Sequence, residues 1–216
     1  MPNATTESSP NVALQLVEKV MDLGIEGKAP GMKTSIEVAE DFLADPRFSN
    51  NDARIKSLIR WHVTRSGATG FATGLGGFAT MPITLPTGLV AVWVVQARMV
   101  GAIAHIRGYD LEDERVRTLA MASLAGDALV TEVMKELGGT IAVKMGAAAV
   151  RKVPGQVIFE INKKVGFRLL TKAGTKGSIN LTKVVPVLGG VVGGSVDAAS
   201  TRTVGAVAKR AFPETR

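Results

Sequence analysis

Apolar positions recur at intervals of three and four residues along most of the chain, and no stretch sustains the apolar–polar alternation of a half-buried strand. The pattern therefore predicts helices. Ser9 and Pro10 supply a cap and a first-turn proline ahead of "NVALQLVEKVMDL", which stops at Gly24. After the loop "GIEGKAPG", Thr34 and Glu37 form a capping box that opens a short helix to about Ala44, and Asp45-Pro46 ends it. "NNDARIKSLIRWHVTR" puts Ile55, Leu58, Ile59 and His62 on one side of an amphipathic helix. "TGLVAVWVVQARMVGAIAHIRG" reads as about five turns of apolar helix ended by Gly108. Asp110 is placed to cap "LEDERVRTLAMASLAGDALVTEVMKEL" as one helix, with acids in the first turn where the dipole favours them, and Gly138-Gly139 closes it. Further helices are expected over residues 140–151 and 155–171, a loop over "KAGTKGS", and a last helix from near Pro186 to Phe212. The expected fold class is all-α, a single-domain helical bundle with closely packed Gly/Ala-rich central helices. Its divisions are a flexible tail (1–9), N-terminal helices (10–48), a main helical domain (49–212) and a second tail (213–216).

One segment departs from ordinary amphipathic patterning. "GATGFAT" is followed at once by "GLGGFAT", so that Gly67, Gly70, Gly74 and Gly77 fall in steps of three, four and three and form one stripe on a helix. Each glycine weakens a helix interior by about 1 kcal/mol relative to alanine. Dispersion contacts offset that cost when a second backbone approaches along the bare stripe. A similar stripe, Gly190, Gly194, Ala198, Thr201 and Gly205, runs along the last helix, and the two are expected to pack together.

Residues 66–97 carry no charge, and 87–106 is long enough to cross a bilayer. Pro82 and Pro86 interrupt the run, however, and Gln96 and Arg98 lie within the second helix. An arginine at that depth costs about 2.5–3.5 kcal/mol on insertion scales. Mean hydropathy is only +0.21. The expectation is an apolar core rather than a span, with a re-entrant hairpin of 66–81 and 87–106 as the competitor. The first residues lack the basic-then-apolar order of a signal peptide.

Composition narrows the chemistry. The 216 residues are 46% hydrophobic and 5% aromatic, enough apolar material for a real core. Without cysteine there are no disulfides, zinc–thiolate sites or iron–sulfur clusters, and two histidines, His62 and His105, do not make a histidine-rich metal site. The glycine runs match neither G-x-G-x-x-G after a strand nor the Walker A pattern, and G-x-S-x-G and H-E-x-x-H are missing. No catalytic residue, metal or cofactor is expected. Arg98, His105, Asp127, Asp197 and Arg202 are the candidate binding residues: charges in apolar surroundings that either line a ligand cavity or, more simply, form ion pairs fixing helix register. Trp61 and Trp93 read as core, with a lipid interface as the alternative for a tryptophan beside a basic face.

The net charge of +7 is concentrated. Lys144, Arg151, Lys152, Lys163, Lys164, Arg168, Lys172, Lys176 and Lys183 face one acid, Glu160, between residues 144 and 183. Such a segment is either a solvated helix face or a surface for anionic partners. It lacks interleaved aromatics and a reading motif, so anionic membrane lipid is expected and nucleic acid is not.

"TGFATGLGG" (69–77), "ITLP" (83–86), "IAHIRGYDLED" (103–113), "LAGD" (124–127) and "VPVLGGVVGGSVDA" (185–198), in this order and spacing, resemble the EcsC family of bacterial proteins. The resemblance covers roughly residues 50–212 and makes the 49–212 segment EcsC-like; Arg107 stands where the family commonly has an aromatic. It implies a helical, hydrophobic bacterial domain from a family named for a protein encoded beside an ABC-transporter pair. It implies no enzyme.

The expected function is that of a non-enzymatic, peripheral membrane protein, cytoplasmic and on the inner face, binding anionic lipid through its basic segment, with a membrane-protein partner such as a transporter. Two alternatives stand beside it. One is a lipid- or small-molecule-binding protein or weak hydrolase with a polar pocket around Arg98, Asp127 and Asp197. The other is a structural homo-oligomer or shell-associated protein pairing through its glycine faces.

Overall fold

A helix that is apolar on every side must be surrounded, and residues 87–97, the described part of the uncharged run ahead of Arg98, are placed accordingly. The computed structural model describes residues 10–66, 87–136, 154–180 and 186–214. Among these are eight helices and no strand: α1 (Pro10–Gly24), α2 (Ser35–Leu43), α3 (Asn51–Ser66), α4 (Thr87–Ile106), α5 (Glu114–Ala125), α6 (Asp127–Glu136), α7 (Gly155–Asn180) and α8 (Pro186–Ala211). The fold is all-α. Helix α4 is the central rod, with α1, α2, α3, α5 and α8 packed round it. Val94, Met99, Val100 and Ile103 have no accessible surface, and Trp93 is buried with them. Gln96, also buried, donates from Nε2 to Ser200 Oγ at 3.2 Å and Thr201 Oγ1 at 3.3 Å on α8, so its amide nitrogen is satisfied inside the core. No helix among the described residues is long and apolar enough to cross a membrane. The first arm of the re-entrant hairpin, and with it the Gly67–Gly77 stripe, lies outside the described residues.

Local signals set several boundaries. Thr34 caps α2: its side chain accepts from the Glu37 N–H at 3.0 Å, and Glu37 Oε2 accepts from the Thr34 N–H at 2.8 Å. Gly108, with φ 83°, turns the chain after α4.

Two boundaries differ from expectation. The single helix expected after Asp110 is two, because Gly126 adopts φ 117° and ψ 173°, which breaks the ladder between α5 and α6. Its N-cap is Asp113, whose carboxylate accepts from the Arg115 N–H at 2.9 Å, while Asp110 accepts from the Glu112 N–H in the preceding turn. Conversely, the loop expected over 172–178 is helical, since α7 continues to Asn180. Gly174 and Gly177 weaken that stretch by about 1 kcal/mol each without removing a hydrogen bond, as a proline would.

Helix crossings are closest where a single glycine meets a neighbouring backbone. A Cβ on Gly24 of α1 would lie 2.6 Å from Ala97 Cβ and 2.8 Å from Val94 O of α4. One on Gly166 of α7 would collide with the Ala13 carbonyl of α1. Gly205 of α8 packs on Ile59 of α3, within 3.0 Å of three of its side-chain carbons for an added Cβ. The described part of the α8 stripe thus meets two helices, Gly205 on α3, the helix leading into the glycine repeat, and Thr201 on α4; Gly190 and Gly194 lie outside the described side chains.

Candidate functional site

The polar residues singled out by sequence go to different places. Arg98, on α4, is buried, and its Nη2 donates to Leu23 O at 3.4 Å, one of the last carbonyls of α1. A cation there complements the negative end of the α1 dipole. Burial lowers the Arg98 guanidinium to about 10, which leaves it charged at neutral pH, and its Nε has no hydrogen-bond partner among the described residues. The Ser35 hydroxyl beside it lies 3.2 Å from Arg98 O and 3.4 Å from Gly24 O, tying α1, α2 and α4 at one node. His105 Nε2 meets Glu40 Oε1 at 2.7 Å near the surface. Asp127 is mostly exposed and accepts from Arg210 at 2.7 Å. Asp197 is half-buried and Arg202 exposed, both on α8. Arg98, His105 and Asp127 thus engage three different partners. Trp93 is core, whereas Trp61 is 39% exposed, its ring edge-on to Phe42 and His62.

The basic segment is only partly visible. Lys144, Arg151, Lys152 and Lys183 lie outside the described residues, as do the side chains of Lys172 and Lys176. On α7, the inward positions Ile158, Ile161, Val165 and Leu169 repeat at helical spacing and pack on α1 and α5. Lys163 is near Glu160 at 3.9 Å, and Lys164 and Arg168 share Glu132 of α6 at 2.9 and 3.8 Å. The Lys164 hydrogen bond holds the Glu132 carboxyl below its ordinary value. Because α7 is continuous, residues 164, 168, 172 and 176 recur every four positions, with a rise of about 6 Å per step.

A feature that sequence reading missed lies at the other end of the same helix. Where α1, the start of α5 and the start of α7 meet, they border an open-sided cleft of about 370 Å³. Leu14, Val17 and Met21 supply apolar wall; Glu18, Asp22 and Glu26 come from α1 and the turn after it; Glu114 and Arg117 come from α5; Gly155, Phe159 and Asn162 come from α7. Arg117 is committed to Glu26 at 2.7 Å. Lys28 bridges Glu26 at 2.6 Å and Asp22 at 2.9 Å, and hydrogen bonding to Glu26 and then Asp22 raises its ammonium to about 12. Glu18 and Glu114 have no ion pair among the described residues. Phe159 is 47% exposed. Asn162 is 8% exposed, and its Oδ1 has no hydrogen-bond partner among the described residues. No three acid or imidazole side chains among these residues gather closely enough to hold a metal ion. In the sequence, only the four-residue spacing of Glu18, Asp22 and Glu26 signalled this site.

The model of the EcsC protein family matches residues 7–214, nearly the whole chain. Neither a curated protein nor a solved structure matches it.

Proposed function

The chain belongs to the EcsC protein family, and from that premise we propose that it attaches reversibly to anionic membrane surfaces, on the inner face of the membrane, through the basic row of α7. The observation that supports this reading is the unbroken helix itself. It sets residues 164, 168, 172 and 176 in a row of about 18 Å, where a loop over 172–178 would have scattered them. Helix-dipole compensation does not account for the row, because that effect fades beyond the last turn and the last turn of α7 has no basic residue. A basic residue near an anionic surface contributes about 1 kcal/mol. Glu132 already neutralises part of the Lys164 and Arg168 charge, so Lys172 and Lys176 carry more of the attraction.

Co-sedimentation with vesicles tests the proposal. Vesicles rich in phosphatidylserine should retain the protein, zwitterionic vesicles should not, and about 0.5 M salt should release it as the Debye length contracts. Replacing Lys172 and Lys176 by Gln should weaken retention more than replacing Lys164 and Arg168. Equal binding to both vesicle types, insensitive to salt, would refute the proposal.

A further inference from the structure

A second cationic face lies across the bundle from the basic row of α7. Helix α7 packs on α1 and α5, whereas α3 packs on α2, α4 and α8, so the central rod α4 stands between the two. On α3, Ile55, Leu58 and His62 turn inward, which leaves Lys56 and Arg60 exposed one helical turn apart, about 6 Å along the axis. Neither has an ion pair among the described residues. The single acid of α3, Asp52, is taken up by Arg107 and Lys209 at the start of the helix. Two solvated cations need no further explanation. The ring set beside them does.

Trp61 follows Arg60 directly and is 39% exposed. Its ring is held in place: it stands edge-on to Phe42 and to His62, with centroids 6.5 and 4.7 Å away, and Phe42 stacks in turn on Phe48 at 6.3 Å. Arg47, already paired with Asp45, lies over the Phe48 ring. The chain thus keeps a half-open aromatic shelf next to unpaired positive charge. An occupant must accept apolar surface and cations together, and the anionic bilayer interface does both. Indole rings settle at headgroup depth, and the long Lys and Arg side chains reach phosphate from beside them. A protein partner fits less well. The exposed face offers one large ring and two cations, with only Ser57 and Thr64 beside them, where a stable protein interface takes about 20 residues a side. Membrane attachment accumulates from a few such contacts.

We propose that this face of α3 is a second contact for anionic lipid, with Trp61 among the headgroups and Lys56 and Arg60 on phosphate, and that the protein thereby bridges two anionic bilayer surfaces, one on α3 and one on α7. The bridging rests on the α7 reading above; the α3 contact does not.

Vesicles of equal parts phosphatidylserine and phosphatidylcholine, mixed with the full chain in about 0.15 M salt, test it. Co-sedimentation reads attachment, light scattering reads clustering, and quenching by acyl-brominated lipid reads the depth of Trp61, since Trp93 is buried. The parent chain should sediment with the vesicles, cluster them and be quenched. Trp61→Ala, which changes no charge, should lose the quenching and the clustering while α7 holds sedimentation within about twofold; Trp61→Phe should restore clustering. A cation near an anionic surface is worth about fivefold in binding. Lys56→Gln with Arg60→Gln, both exposed and harmless to the fold if Trp61→Ala is not, should therefore raise the protein needed for clustering at least tenfold. Lys172→Gln with Lys176→Gln should abolish clustering yet leave Trp61 quenched at saturating lipid. Sedimentation without clustering, an unquenched parent, or clustering undiminished by Lys56→Gln with Arg60→Gln each overturns the proposal and leaves the α7 reading standing. A parent chain retained by no vesicle overturns both.

Discussion

Gly166→Ala should destabilise the protein although alanine is the better helix former. Gly166 sits in the middle of α7 where it crosses α1, and the added methyl would overlap the Ala13 carbonyl oxygen, with the carbonyl carbon at 2.6 Å and the Ala13 Cα at 2.8 Å. All three atoms are backbone, inside a helix with no accessible surface at Ala13, so no side chain can swing away. Relief requires α7 to retreat by about 1 Å, loosening the contacts of Ile161, Val165 and Leu169 against α1 and α5. Overpacking of this kind costs about 1–3 kcal/mol, and a backbone collision belongs at or above the upper end. Subtracting about 1 kcal/mol of helix propensity leaves a net loss of about 2 kcal/mol. For a chain of this length that is a fall in Tm of about 4–8 °C by circular dichroism. Gly155→Ala is the control: nothing lies within 4 Å of its added Cβ, so the propensity gain should appear undiminished. Ala13→Gly should fail to rescue Gly166→Ala, because the clash is with the main chain of residue 13. If Gly166→Ala matches or exceeds the parent in Tm, α1 and α7 do not cross as closely as described.

Two further substitutions probe the charged groups. Arg98→Met gives up one long hydrogen bond to Leu23 and removes a desolvated charge with an unsatisfied Nε; its urea midpoint should correspond to a stability within about 1 kcal/mol of the parent, or above it, and a loss beyond about 3 kcal/mol would show an unrecognised partner. Asp52 receives a hydrogen bond from Lys209 at 3.2 Å and lies against Arg107, which together hold its carboxyl below the ordinary value. A carboxyl lowered in the folded state adds stability above its unfolded pKa of about 3.9, and that contribution disappears as pH falls through the folded value. Thermal melts should therefore decline below about pH 4, less steeply in Asp52→Asn than in the parent; identical slopes would count against the assignment.

The legible part of this fold was the part written in local chemistry. A capping box at Thr34 and Glu37, a turn glycine at 108 and a 20-residue apolar helix each state their structure within a few residues. Glycine was harder to read. The repeated stripes drew attention, and Gly205 of one of them does meet α3, but the crossings at Gly24 and Gly166 rest on isolated glycines, one to a contact, with no period to reveal them. Residue type does not say whether a glycine interrupts a helix, as Gly126 does at φ 117°, or lies within one, as Gly174 and Gly177 do. That outcome depends on what the neighbouring helices gain by packing.

The same limit explains the surface position of Asp127 and the overlooked cleft. Asp127 stands among apolar residues in the sequence, yet Leu124, Ala125, Leu129 and Val130 point inward while Asp127 opens α6 at the surface and meets Arg210, an ion pair of the kind the simpler expectation named. Glu18 and Asp22 show the converse. On α1 alone they are the solvated side of an amphipathic helix, and nothing in residues 10–24 announces that α5 and α7 will border that side in an open-sided cleft. Their partners come from segments about ninety and one hundred and forty residues away, so no local pattern could bring them together.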